Sequence, residues 1–440
     1  LKPFFLLKRS TKRSKKRITM NFKAFTLSKN SEWACIQVKA PESEDRIPVH
    51  LCCVLDISGS MDDENKLKNV KNSLYYLLDF LGPQDKISIV TFSNTAKVVV
   101  NQAFGYDKEN IRTQLSLIHS ESSTNLSAGI IQAHETLTNN YKQGILLLTD
   151  GEANAGLTLK SDIIQLVRNT IEKFDISISC IGYGLHHNAE LLQSISNEGK
   201  GSYYIVNNLE AVATVFGDVL GGLVTCVAQQ VQVILPVGTE VKSRYANNTD
   251  CNMNIMIGDM TAGFEAIFLA KIPHQMRVSL KGYNLLTQEH FVIDSHVMIV
   301  DDLQEQVNAY AHYLRFEVID ILESPTMEKI DEYITKITEY KVENNHMLWD
   351  ILIQQLNQAK KSFGCYDPYL RQTLGCLGLM RGISGDEPVF SNAMQRQFSN
   401  QLSQNVNLYD LIEGTQDDME IPGILTPGGY LPTLPPLTRH

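Results

Sequence analysis

From His50 to Gly222 the chain alternates short apolar runs with stretches of helical periodicity. The runs HLCCVLD, KISIVTF, GILLLTD and ISISCIGYG are apolar throughout and bounded by polar or turn residues, which predicts strands buried on both faces. Between them, Leu67, Val70, Leu74, Leu77 and Leu78 fall at helical spacing, as do Ile130, Ile131, His134 and Leu137. Ile163, Ile164, Leu166, Val167 and Ile171 predict a third helix. Strands alternating with helices imply an α/β fold, a doubly wound and mainly parallel sheet covered on both sides. Ligands in such folds bind at the carboxyl ends of the strands.

The pattern then changes twice. Residues 227–300 show period-2 runs, with Val231, Val233 and Leu235, then FEAIFLAKI, then Met276, Val278 and Leu280, punctuated by Gly and Pro. Ala34, Ile36, Val38 and Ala40 share that alternation, so the N-terminal strands are expected to join a β-sandwich-like domain into which the α/β unit is inserted. From Leu303 the period is helical: Val307, Tyr310, Leu314, Val318, Ile321 and Leu322 form one stripe, stopped at Ser324-Pro325. Ile330, Ile334 and Ile337 make a second helix, and Leu348, Ile351, Leu352 and Leu356 a third. The expected organisation is a basic tail at 1–19, strands at 20–46, the α/β domain at 47–222, the β-domain at 223–302, a helical region at 303–381 and a Gln/Asn- and Pro-rich tail at 382–440.

Charge narrows the partners. The first 19 residues carry eight Lys or Arg and no acid, which leaves 31 basic against 49 acidic residues in the remainder. An acidic body argues against nucleic acid, whose phosphates need clustered Lys and Arg. No run of 18 apolar residues is present, so no transmembrane segment is expected. Eight cysteines occur without a C-x-x-C pair. They read as buried thiols in a reducing compartment, giving an intracellular, cytoplasmic expectation. The sequons at Asn125 and Asn247 carry little weight without a secretion signal.

The chemistry concentrates in CVLDISGSMDDENK, residues 53–66, where an apolar strand ends in Asp56 and hydroxyls follow at Ser58 and Ser60. The loop lacks the G-x-S-x-G of a nucleophile elbow and the glycines of a phosphate loop. Asp62, Asp63 and Glu64 belong in the first turn of the next helix, where acids favour the dipole. Helix capping by Asp and Ser is the structural alternative, but it does not require three oxygen-bearing side chains at spacing two. Oxygen-only ligands suit Mg²⁺, Mn²⁺ or Ca²⁺, each of which takes about six oxygens or more, so neighbouring loops must contribute. Asp150 ends the strand GILLLTD, and Thr124 lies in the polar loop SESSTNLSAGI. Two carboxylates and three hydroxyls would leave one position for an outside oxygen.

In combination, DISGS at 56–60, STNLSAGI at 123–130 and LLLTDGEAN at 146–154 resemble the metal-ion-dependent adhesion site of von Willebrand factor type A domains. Carried over by position, that resemblance implies metal ligands at Asp56, Ser58, Ser60, Thr124 and Asp150, with Asp150 acting through water. It further implies a Rossmann-like fold over roughly residues 47–222 and a protein partner whose Asp or Glu completes the metal shell. It also implies that the last helix, around Leu209 to Leu220, shifts with occupancy, its end made pliable by Gly217, Gly221 and Gly222. The flanks are similar to those of inter-alpha-inhibitor heavy chains and of plant ubiquitin ligases with such a domain, although the C-x-x-C pairs of a RING finger are missing. The expectation is a non-enzymatic binding module. Its rivals are a ubiquitin-pathway scaffold, a purely structural domain, and a Mg²⁺-dependent hydrolase or phosphoryl-transfer enzyme drawing a base from His119, His186 or His187.

Overall fold

The computed structural model describes residues 20–26, 32–43, 45–138, 141–150, 153–174, 176–184, 187–206, 209–248, 253–364, 368–380 and 390–414. The basic N-terminus, His186 and the proline-rich C-terminus lie outside them. The chain opens with β1 (Asn21–Thr26) and β2 (Ala34–Lys39). The α/β unit follows: β3 (Val49–Asp56), α1 (Lys66–Phe80), β4 (Lys86–Phe92), β5 (Ala96–Phe104), α2 (Lys108–Ser116), α3 (Leu126–Thr136), β6 (Lys142–Thr149), α4 (Lys160–Phe174), β7 (Ser177–Tyr183), α5 (Ala189–Glu198), β8 (Lys200–Val206) and α6 (Leu209–Val224). Next come β9 (Cys226–Leu235), β10 (Val241–Lys242), β11 (Ala246–Asn248), β12 (Met253–Thr261), β13 (Glu265–Ala270), β14 (Arg277–Asn284), β15 (Glu289–His296) and β16 (Met298–Ile299). The described chain closes with α7 (Leu303–Glu323), α8 (Met327–Glu343), α9 (Leu348–Lys361), α10 (Pro368–Leu379) and α11 (Ala393–Gly414).

The α/β unit is a six-stranded sheet in the order β5-β4-β3-β6-β7-β8, parallel except for β5. Strands β3 and β6 are buried along their whole length, which is why they read as unbroken apolar runs. One face packs against α1, α2 and α6, and the other against α3, α4 and α5. The chain runs outward from β3 to β4 and β5 on one side, then returns to β6, β7 and β8 on the other. The loops after β3 and β6 therefore part company, and a crevice opens at that switch point.

Two five-stranded sheets, β10-β13-β2-β1-β16 and β11-β12-β9-β14-β15, form the second layer system. Strand β2 pairs antiparallel with both β1 and β13, so the N-terminal strands and the segment after the α/β unit share one sheet. Both sheets contribute to a single apolar core with α7, α8, α9 and α10. Arg315 on α7, fully buried, donates to Ile267 O on β13 at 2.6 Å and to Leu377 O on α10 at 2.7 Å, joining sheet and helices.

Four details differ from the sequence reading. Ile131 is 48 % exposed, since only Ile130 of that pair faces the sheet. Met276 precedes β14 and is exposed, while Val278 and Leu280 enter the core. The segment from 382, read as a tail, contains the 22-residue helix α11. Phe398 and Leu402, one turn apart, bury against α6 and α1 and belong to the core of the α/β unit. Gly217 and Gly221, read as a pliable end of α6, instead admit α11: a Cβ at Gly217 would lie 2.4 Å from the Ser399 backbone nitrogen.

Candidate metal centre

Strand β3 delivers Asp56 to the crevice with no exposed surface. Its Oδ1 accepts the Ser58 backbone N–H at 2.8 Å, and its Oδ2 accepts the Thr149 hydroxyl at 2.5 Å. Burial pushes the Asp56 carboxyl above its ordinary value. The bonds from Thr149 and Ser58 oppose that rise, and the charge of Asp150 adds to it. A buried carboxylate facing a second carboxylate is a local demand for a cation.

A short 3-10 turn, Gly59–Asn65, follows β3. Ser58 occupies its N-cap position, yet its side chain makes no capping bond. The Ser58 hydroxyl lies 3.1 Å from that of Ser60, and Ser60 donates to Asp150 Oδ1 at 2.8 Å. This chain of oxygens joins the end of β3 to the end of β6. Asp150 is almost fully buried, and its Oδ2 accepts Lys66 Nζ at 2.6 Å.

Thr124 arrives from the third loop, which hydrogen bonds pin beside the other two. Glu121 N–H donates to Ile57 O at 2.5 Å and Asn125 N–H to Ser93 O at 2.6 Å. A Cβ at Gly59 would meet Glu121 O at 3.5 Å, so this loop passes directly over the turn. Thr124 is buried, its N–H bonds Asn154 Oδ1 at 2.9 Å, and its carbonyl accepts the Asn154 and Ala155 N–H groups. Asp56, Ser58, Ser60 and Asp150 thus sit in one cluster, Asp56 tied in through the Ser58 backbone N–H and the other three linked through side-chain oxygens. Thr124 is held on an adjoining loop, and its hydroxyl makes no hydrogen bond to those four among the described residues.

All five side chains offer oxygen, two of them as carboxylates, and this donor set fits a hard divalent cation rather than zinc or copper. Thr149, Lys66 and Asn154 were missed from the sequence. Thr149 had a signal, because it directly precedes Asp150, but the partner of its hydroxyl depends on the pairing of β3 with β6.

The histidines fall differently. His187 is buried, its Nδ1 2.8 Å from Gly184 O and its Nε2 bonded to the Tyr203 hydroxyl. Burial lowers its pKa, while the Gly184 carbonyl and the Asp150 charge raise it. His119 is exposed and lines a groove with Asp62, Lys68, Lys71 and Tyr75 beside the centre.

The family model of the von Willebrand factor type A domain matches residues 50–218, and the chain carries such a domain. Among its relatives, the uncharacterized protein YfbK of Escherichia coli is 27 % identical over 244 residues, covering 52 % of this chain and 42 % of that protein. Inter-alpha-trypsin inhibitor heavy chain H3 of Mus musculus is 29 % identical over 175 residues, 37 % of this chain and 19 % of that one. The chain thus spans less than half the length of these curated relatives. A solved von Willebrand factor type A protein from Catenulispora acidiphila superposes with a TM-score of 0.59 at 13 % identity, covering 82 % of this chain and 96 % of that one. The ArnB paralog VWA2 from Sulfolobus acidocaldarius does so at 0.53 and 16 %, covering 82 % and 97 %. The likeness of fold therefore reaches beyond the α/β unit into the flanking sheets.

Proposed function

We propose that the domain is a divalent-metal-dependent protein-binding module. Asp56, Ser58, Ser60, Thr124 and Asp150 would hold Mg²⁺, or Mn²⁺ or Ca²⁺, and the bound ion would supply a Lewis-acid site for an Asp or Glu carboxylate of a partner protein. The observation that carries this reading is the buried pair Asp56 and Asp150, set on adjacent strand ends and joined through Ser58 and Ser60. An ion held by few charged ligands stays electrophilic, so an anionic partner oxygen gains strongly.

The hydrolase reading has less support. His187 is committed to Gly184 and Tyr203, which among the described residues leaves its base to His119; His186 lies outside them. Six described cysteines are buried free thiols, which supports a reducing, intracellular compartment. Among the described residues no helix is long and apolar enough to cross a membrane.

Calorimetric titration with Mg²⁺ and Mn²⁺, repeated on Asp56→Ala, tests the centre. Partner capture with and without EDTA tests its use. Binding that depends on Asp56 and is abolished by EDTA supports the reading; partner capture indifferent to both overturns it.

A further inference from the structure

Lys66 is the cation nearest this centre, and its placement is built in. Its backbone N–H closes the 3-10 turn onto Asp63 O and Met61 O, at the first residue of α1. Its stem runs past Gly184, where a Cβ would stand 3.9 Å from Lys66 Cε. The side chain is only 18 % exposed, and the ammonium lies 2.6 Å from Asp150 Oδ2 and 3.4 Å from Ser60 O.

Asp150 therefore has both oxygens engaged, Oδ1 by the Ser60 hydroxyl and Oδ2 by Lys66. A divalent ion drawing on Asp150 must share that carboxylate with a fixed positive charge, or displace it. We propose that Lys66 sets the affinity of the centre: its ammonium neutralises Asp150, keeps that carboxylate from binding the ion tightly, and leaves Asp56 as the main charged ligand. The consequence is a weakly held, strongly electrophilic ion suited to an anionic partner oxygen. This rests on the metal-binding reading above and extends it to how that site is tuned.

Removing a positive charge in contact with a ligand carboxylate should tighten divalent binding roughly tenfold or more, since like charges at this range oppose each other strongly in a partly buried site. The test is isothermal titration of the full chain with Mn²⁺ and with Mg²⁺ for wild type, Lys66→Met, Lys66→Gln and Lys66→Arg, each also carrying Asp56→Ala as a control. Circular dichroism confirms the fold of each variant.

Lys66→Met and Lys66→Gln are expected to bind both ions at least tenfold tighter, and Lys66→Arg to stay within about threefold of wild type, because it keeps the charge. Without added ion, Lys66→Met is expected to unfold at lower temperature, since Asp150 then faces Asp56 without its counter-charge. Wild-type binding that is lost on Asp56→Ala, together with unchanged or weaker binding by folded Lys66→Met and Lys66→Gln, overturns the Lys66 proposal and leaves the centre standing. Binding by none of these proteins overturns both. Binding that appears only once Lys66 is replaced, and disappears with Asp56→Ala, supports both.

Discussion

Gln395 donates its side-chain amide to both the backbone carbonyl of Asp218, at 2.9 Å, and its carboxylate, at 3.0 Å. Two helices far apart in the chain are joined at that point. Asp218 is buried, and Tyr204 and Ser391 also donate to its carboxylate. These donors help compensate a buried carboxylate, whose charge is costly to bury without partners.

The first prediction follows from how closely the two helices approach. A methyl at Gly217 would fall within 2.6 Å of the Ser399 N, Oγ and Cα atoms, two of which belong to the backbone and cannot rotate away. Gly217→Ala should therefore part α6 from α11 and destabilise the protein by about 1–3 kcal/mol, although alanine is the better helix former. Urea unfolding measures this. A stability equal to or above that of wild type would mean that α11 does not pack on α6 in solution.

The second concerns pH. His50 is fully buried between Gln143 and Ser88, and burial lowers its pKa to about 4. His312 is also buried, and its pKa is pushed well below the ordinary value, first by burial and then by the Arg315 charge. In both cases the unfolded chain takes up the proton first as pH falls. Stability is thus fully present above the unfolded value near 6.5 and declines toward pH 4, by about 1.4 kcal/mol per pH unit for each such group. Unfolding midpoints between pH 7 and 4 should show this decline, and His50→Gln should flatten it. A slope unchanged in that variant would remove His50 from the account.

Much of the fold was legible because burial leaves a direct signature. β3 and β6 are covered on both faces and read as unbroken apolar runs, while β2 alternates only in its second half, where Val38 is buried between the more accessible Gln37 and Lys39. Edge strand β5 is mostly half-exposed and has no such signature. In α11, Phe398 and Leu402 stand among Gln, Asn and Ser, so composition hides an apolar face that α6 and α1 complete. The candidate ligands were legible for another reason: Asp56, Ser58 and Ser60 are spaced locally at the end of β3, Asp150 directly follows β6, and Thr124 stands in the polar loop that leads into α3. Lys66 reaches Asp150 and Thr149 reaches Asp56 from elements whose meeting depends on the whole sheet; Thr149 adjoins Asp150 in sequence, but nothing local declares that its hydroxyl bonds Asp56.

The third prediction tests Arg315. Its two amino groups satisfy two separate buried carbonyls, Ile267 O and Leu377 O, and no hydrogen bond is made by its Nε among the described residues. One ammonium cannot span both acceptors, so Arg315→Lys should cost about 1.5–3 kcal/mol despite keeping the charge. Thermal unfolding checks this. A loss below about 0.5 kcal/mol would show that the fork geometry is not what holds α7, α10 and β13 together.

The last prediction separates support of the centre from mere packing. The Thr149 hydroxyl donates to Asp56 Oδ2, the oxygen that the Ser58 N–H does not hold. Thr149→Val keeps the shape and removes the donor, leaving Asp56 Oδ2 without that restraint while the Ser58 N–H still holds Oδ1. Groups that orient metal ligands typically account for 10- to 100-fold in affinity, so Mg²⁺ binding should weaken by about tenfold or more. The stability cost should stay near 1 kcal/mol, the scale of one lost hydrogen bond. Thr149→Ser restores the hydroxyl and should recover most of the binding while still lacking the methyl. If Thr149→Ser binds as poorly as Thr149→Val, the methyl rather than the hydroxyl matters, and the Thr149 hydroxyl does not orient Asp56.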